Sequence, residues 1–411
     1  MRILIIADDL SGAADCAAAA GPDGLVLLQP EGGAEADIVA VDNDSRSSGQ
    51  EIAGRRAGAA LETLLRPETA VVYQKVDSTL RGNWPAELAA LRAAVQDLRG
   101  YAPLAVVAPA LPEKGRTTKG GLMFLDGQPL TSAAHAADQG AHADIVGTLA
   151  RSGLGATALP AGEGVAALTA RMREAVGRGI GIVVCDAASR GDLDDIATAG
   201  LTFRQVLWVG SSGLMGSLGP RHVRSAAATT SDWAVAGSIA VIIGSASPVS
   251  REQFRMLRAE PGLVPIEIAA EALRDSTGGS SLSQAVEGAL AAGQSVAIAI
   301  AAGENDELAT GAALTAALAR RLAPQLGRFG GLVLTGGETA RAVLSAAGVH
   351  AIRLGGEIEA GVPFGLTIGR LAVPVVTKAG AFGTPETLVR VLRTLQAMRS
   401  GDRQVHRGTV R

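Results

Sequence analysis

Residues 1–15 read MRILIIADDLSGAAD. An apolar run, Ile3-Leu4-Ile5-Ile6, ends in two adjacent carboxylates, Asp8 and Asp9, and an alanine-rich stretch follows Ser11-Gly12. An unbroken apolar run suits a strand covered on both faces, as in a parallel sheet. Ligands of such sheets bind beyond the carboxyl ends of the strands, so this strand carries its charges to where a site is expected. Like charges repel, and taking either out of water is costly unless it is paired or in use. A carboxylate there can orient a substrate hydroxyl or accept its proton. Ser11 also reads as a candidate N-cap for the helix that follows.

Outward from this stretch the same pattern repeats. Short β-type runs at residues 2–7, 38–42, 70–75, 104–108, 181–185 and 205–210 alternate with helical patterns such as 85–96 and 164–176. Residues 224–237, RSAAATTSDWAVAG, are small and polar without a period and read as a linker. Alternation then restarts, with strands at 238–244, 263–268, 295–300 and 331–335 and a last pair near 351–354 and 371–377. The expected architecture is α/β in two domains, each a mostly parallel sheet flanked by helices, with the active site in the cleft between them. The boundaries are 1–230 and 237–400, followed by a frayed tail at 401–411.

Two further strand ends in the first half carry polar chemistry. Lys75-Val76-Asp77-Ser78-Thr79-Leu80-Arg81-Gly82-Asn83 offers an acid, two hydroxyls, a guanidinium, a glycine and an amide, with Pro85 opening the next helix. Asp42-Asn43-Asp44-Ser45-Arg46-Ser47-Ser48 follows the second strand. Arginine forks carboxylates or phosphates while Ser, Thr and Asn satisfy hydroxyls, so this mixture suits a small polyhydroxylated anion. A fourth stretch, Gly115-Arg116-Thr117-Thr118 before Gly120-Gly121, reads as a glycine-rich turn. In the second half, Gly244-Ser245-Ala246-Ser247-Pro248, Thr335-Gly336-Gly337-Glu338-Thr339 and Lys378-Ala379-Gly380-Ala381-Phe382-Gly383 each join a strand to a helix. Small residues there let backbone N–H groups and helix N-termini face an anion, and three such ends favour a phosphate- or nucleotide-binding surface.

Composition narrows the classes. The 411 residues are 47% hydrophobic and 19% charged with a net charge of −3, which suits a soluble protein without nucleic-acid or membrane partners. Aromatics are only 3%, too few for base-stacking platforms. Cys16 and Cys185 match no metal or redox spacing, and His135, His142, His222, His350 and His406 form no ligand pair, so no zinc site is expected and no metal-ligating residue is assigned. The N-terminus enters a strand with no basic leader or cleavage site, which points to the cytoplasm. No P-loop signature or G-x-S-x-G elbow occurs. The G-x-G-x-x-A matches at Gly153 and Gly162 bridge no clear strand and helix.

As an ordered set, ADDLSGAAD, KVDSTLRGN, PALPEKGRTT, GSSGL, GSASPVS, GGETA and KAGAFG, spanning residues 7–383, resemble the four-carbon acid sugar kinase family of D-threonate, D-erythronate and 3-oxo-tetronate kinases. The resemblance implies an N-terminal sugar-acid-binding domain, a C-terminal nucleotide-binding domain and transfer from ATP to the terminal hydroxyl, with Mg²⁺. It assigns Asp9, Arg46, Asp77, Ser78, Thr79, Arg81, Gly82 and Asn83 to the acid sugar, with Asp9 and Asp77 as catalytic candidates. It assigns Ser245, Ser247, Gly336, Gly337, Glu338, Thr339, Gly380 and Gly383 to ATP. The sequence departs from the family at Ala246, where a cysteine is usual, and at Ala379, where Ser or Thr is; backbone binding needs neither side chain. Two other classes fit two α/β lobes: a non-catalytic sugar-acid sensor and a dehydrogenase. The second is disfavoured by the missing dinucleotide fingerprint. A homo-oligomer is left open, as is whether Mg²⁺ has a protein ligand.

Overall fold

The structure is a computed structural model that describes residues 2–31, 36–130, 143–222, 233–274, 279–301 and 308–398. The tail read at 401–411, most of the linker read at 224–237, and His135, His142 and His406 lie outside the described residues. The chain divides into two compact units, Met1–Ala226 and Ala227–Arg411.

In the first unit the strands are β1 (Ile3–Ala7), β2 (Leu25–Leu27), β3 (Ile38–Asp42), β4 (Val71–Lys75), β5 (Leu104–Ala108), β6 (Arg116–Lys119), β7 (Leu122–Leu125), β8 (Gln128–Pro129), β9 (Thr157–Leu159), β10 (Ile182–Cys185) and β11 (Val206–Gly210). Eight of them form a parallel sheet in the order β2-β3-β1-β4-β11-β5-β10-β9. The chain leaves β1 toward β3 on one side and returns to β4 on the other, so the strand order reverses beside β1. Register brings the ends level: Ala7 pairs with Asp42 and with Lys75, Lys75 with Gly210, and Gly210 with Ala108. Every residue of β1 is buried, as its unbroken apolar run requires. The helices on the sheet pack against one another through small residues. A Cβ on Gly219, in the helix Ser212–His222, would lie 2.3 Å from the carbonyl oxygen of Ala20 at the end of the helix Leu10–Ala20.

The stretch read as a glycine-rich turn is an antiparallel hairpin, β6–β7, with Lys119 paired to Leu122. Gly120 and Gly121 form its two-residue loop at φ of +60° and +73°, the backbone that tight hairpins demand. Their N–H groups donate to Asp186.

The second unit carries β12 (Ile239–Ile243), β13 (Leu263–Ile268), β14 (Ser295–Ile300), β15 (Gly331–Thr335), β16 (Val349–Glu359), β17 (Val362–Gly369) and β18 (Pro374–Lys378). Their order is β13-β14-β12-β15-β18-β17-β16, parallel from β13 to β18, with β17 antiparallel to both its neighbours. Here the order reverses beside β12, and Ile243 is level with Thr335, which is level with Lys378. Trp233 and Phe364 meet edge to face at 5.3 Å within the core. No described helix is long and apolar enough to cross a membrane.

Candidate active site

Arg46 pairs with the two carboxylates that end β1. Its guanidinium forks Asp8, with Nε on Oδ2 and a terminal nitrogen on Oδ1, both at 2.7 Å, and also donates to Asp9 at 2.9 Å. Asp77 lies 3.9 Å from the same guanidinium. One cation on the β3 loop thus bridges both carboxylates that end β1, its fork to Asp8 spanning 38 residues and set up by parallel strand register. Burial pushes the Asp8 carboxyl up while the Arg46 fork pulls it back.

Asp9, not Ser11, is the N-cap of the helix Leu10–Ala20. Its Oδ1 accepts from the Gly12 N–H at 2.9 Å, and Ser11 lies buried inside the first turn. The other oxygen, Oδ2, has no hydrogen-bond partner among the described residues. Gly12 is needed for this geometry, since a Cβ there would lie 2.5 Å from Asp9 Oδ1 and 3.0 Å from Lys75 Nζ.

Asp77 is saturated instead. Its Oδ2 accepts from the Thr79 N–H and hydroxyl and from Arg81 Nε at 2.9 Å, and its Oδ1 from a terminal nitrogen of Arg81 at 3.1 Å. Burial alone would raise its pKa, but Arg81 and Arg46 outweigh it and hold the carboxyl well below the usual range. Arg81, read as the fork for a substrate carboxylate, is therefore engaged with Asp77. Ser78 and Thr79 are buried. Gly82 sits at φ +89° with its backbone against the Asp8–Arg46 pair; a Cβ there would come 3.0 Å from Asp8 Oδ2. The Asn83 amide donates to the carbonyls of Ser45 and Ser48, lacing the β4 loop to the β3 loop.

Sequence reasoning passed over several groups gathered here. Lys75 ends β4 buried, its ammonium donating to the Val76 carbonyl at 2.8 Å. Arg116, in the stretch read as a plain turn, faces Asp77, Arg81 and Asp15, and burial lowers its pKa. Burial raises the pKa of Asp15 against the opposing charge of Lys75. Beneath the site Glu87 accepts from the Ser45 hydroxyl at 2.5 Å and is pushed up to about 7 by burial, with the Asp8 charge adding to the shift. The signal for Lys75 was present: a lysine closing an otherwise buried strand.

In the second unit the three glycine-bearing strand ends meet. A Cβ on Gly380 would lie 2.0 Å from Ser245 Oγ, and one on Gly336 3.6 Å from Ser245 Cβ. Thr339 packs under Gly244 and Gly336, and Ser247 donates its N–H to Ser245 Oγ at 3.3 Å. Gly336 and Ser247 are the N-caps of the helices Gly337–Ala346 and Pro248–Leu257, and neither makes a side-chain cap bond. Glu338 lies in the first turn of the former. Gly383, at φ +87°, sits against Thr387.

Residues 3–218 match the family described as a sugar-binding N-terminal domain, and residues 240–388 that of a nucleotide-binding C-terminal domain. The chain is 40% identical to a D-threonate kinase of Cupriavidus necator over 94% of its own length and 96% of the relative's. The chain belongs to the four-carbon acid sugar kinase family. A D-threonate kinase of Bordetella bronchiseptica is 32% identical, with 96% of this chain and 98% of that one covered. A 3-oxo-tetronate kinase of Methylobacterium radiotolerans is 32% identical, with 94% and 97% covered. A Salmonella typhimurium crystal structure shares the family fold at a TM-score of 0.77 and 23% identity, over 96% of this chain and 99% of that one. Within this acid sugar kinase chain, both sets of strand-end loops lie where the order of a parallel sheet reverses.

Proposed function

We propose that the protein transfers the γ-phosphoryl group of ATP, bound as its Mg²⁺ complex, to the terminal hydroxyl of a four-carbon acid sugar, with D-threonate the first candidate. The observation that carries the reading is Asp9. It stands at the strand reversal of the sugar-binding unit with one oxygen held and the other without a partner among the described residues. In the reaction the substrate hydroxyl oxygen forms a bond to the γ-phosphorus, the bond to the β-phosphate oxygen breaks, ADP leaves, and Asp9 takes the hydroxyl proton. Asp77 serves differently: held anionic and saturated, it positions Arg81. Among the described residues no cluster of three or more metal-ligating side chains occurs, and Asp8, Asp9 and Asp77 each face a guanidinium. Magnesium enters the proposal with the nucleotide, since Mg²⁺ is held through substrate phosphates and at most one or two carboxylates. The glycine ends gathered at Ser245, Gly336 and Gly380 support a nucleotide site, since their backbone can approach phosphates closely.

The relatives' names support the substrate class and favour threonate. A coupled assay of ADP release across D-threonate, D-erythronate and 3-oxo-tetronate tests the proposal. Turnover with D-threonate and a terminal phosphomonoester product are expected. Binding of an acid with no ADP release from ATP in its presence would overturn it and restore the sensor reading.

A further inference from the structure

Lys378 closes β18 and is fully buried, an unusual setting for a flexible cation. Its ammonium donates to three carbonyls of the loop that follows: Ala379 at 2.8 Å, Phe382 at 3.0 Å and Gly380 at 3.2 Å. Other side chains grip the same loop from the same interior. Ser250 donates to the Gly380 carbonyl at 2.8 Å, and the Gln253 amide donates to those of Phe382 and Thr384.

In a trans peptide the carbonyl and the next residue's N–H point in opposite directions. With the carbonyls of Ala379, Gly380 and Phe382 turned inward, the N–H groups of Gly380, Ala381 and Gly383 are turned away from the lysine. None of those three N–H groups has a partner among the described residues. Gly380 packs on Ser245, and the Lys378 carbonyl accepts from the Gly336 N–H at 2.8 Å, so the outward amides join the other glycine ends.

We infer that Lys378 is a positioning residue: by gripping the carbonyls of its loop from inside, it aims the amides of Gly380, Ala381 and Gly383 outward as a cradle for the nucleotide's phosphates, an inference that rests on the proposed nucleotide role of this loop. Successive outward amides form such anion cradles without any cationic side chain reaching the ligand. The charged groups facing Lys378 are Glu359 at the end of β16 and, behind it, Arg390 on the helix Thr387–Ala397, which donates to Glu359. Burial pushes the ammonium down to about 7 while Glu359 opposes the shift.

The test is Lys378→Met, which keeps the stem and removes the donors. KM for MgATP should rise about tenfold or more, the cost of losing charge-assisted hydrogen bonds, while KM for the acid sugar stays within about twofold. Wild-type KM for MgATP should also climb between about pH 6 and pH 9 as the ammonium discharges, and the variant should lack that climb. An unchanged KM for MgATP in a folded variant, or equal rises for both substrates, would overturn the inference. Should the variant fail to fold, the wild-type profile decides, because a flat MgATP profile excludes the role. Failure of the functional reading is distinct: the wild-type enzyme would then show no ATP turnover at all.

Discussion

Asp9 caps the helix Leu10–Ala20 through one carboxylate oxygen and leaves the other without a partner among the described residues. Asparagine caps helices about as well as aspartate, so Asp9→Asn separates the two roles. The variant should keep stability within about 0.5 kcal/mol and lose kcat by roughly 10²–10⁴ if Asp9 takes the proton. Urea unfolding and steady-state kinetics on the same preparation check both halves; loss of stability with kinetics intact would reduce Asp9 to a cap. Arg46 should behave in the opposite way. Its removal in Arg46→Met leaves Asp8 buried without its counter-ion, which costs about 3–5 kcal/mol, and the unfolding midpoint should fall accordingly. An Asp8→Asn background should recover much of that loss, since the stranded charge is gone. The acid pair at the end of β1 was legible in the sequence; its partner Arg46 was not. Arg46 read as a substrate ligand, and nothing local in the sequence shows that it also reaches back to the neighbouring strand β1.

At the scale of elements, long apolar runs were read to within a residue at each end, because burial on both faces leaves little choice of boundary: β3, β5, β14 and β15 match the runs read from sequence. The β16–β17 ribbon was not. Its register slips three times, and Gly355-Gly356 interrupts the alternation that would have marked β16, so only 351–354 stood out. A strand expected from 371 starts at Pro374. The short β2 and β9, three residues each, gave no periodic signal. Glycine placement tests the packing of these elements directly. Alanine in a helix interior normally gains about 1 kcal/mol over glycine, yet Gly12→Ala would set a Cβ 2.5 Å from Asp9 Oδ1. That variant should lose stability and weaken acid binding despite its better propensity, as thermal melts and calorimetric titration with the acid would register. A stabilised Gly12→Ala with normal acid affinity would mean the cap moves aside freely.

Across the whole molecule the restart of alternation after residue 237 made two domains legible, and the two units divide at Ala226 and Ala227, within the stretch read as a linker. What the sequence did not disclose is how charge buried in the first unit couples its stability to pH. Two acids there act with opposite signs. Asp77 is held below the ordinary range, so its contribution is present above that range and is lost as pH falls through its folded value. Glu87 is raised from 4.5 to about 7, so between those values the folded state keeps a proton that the unfolded chain has released. Its contribution is full below the lower value and is lost as pH rises through the upper one. Glutamine is the isostere of the protonated acid and can still accept from the Ser45 hydroxyl. Relative to Glu87→Gln, the wild type should therefore lose about 1–3 kcal/mol of stability between pH 4.5 and pH 7. Denaturant midpoints across that range, followed by tryptophan fluorescence, give the comparison. Parallel curves would mean that Glu87 is already ionised when folded, with the charge carried by Arg46 reaching it more strongly than burial opposes it.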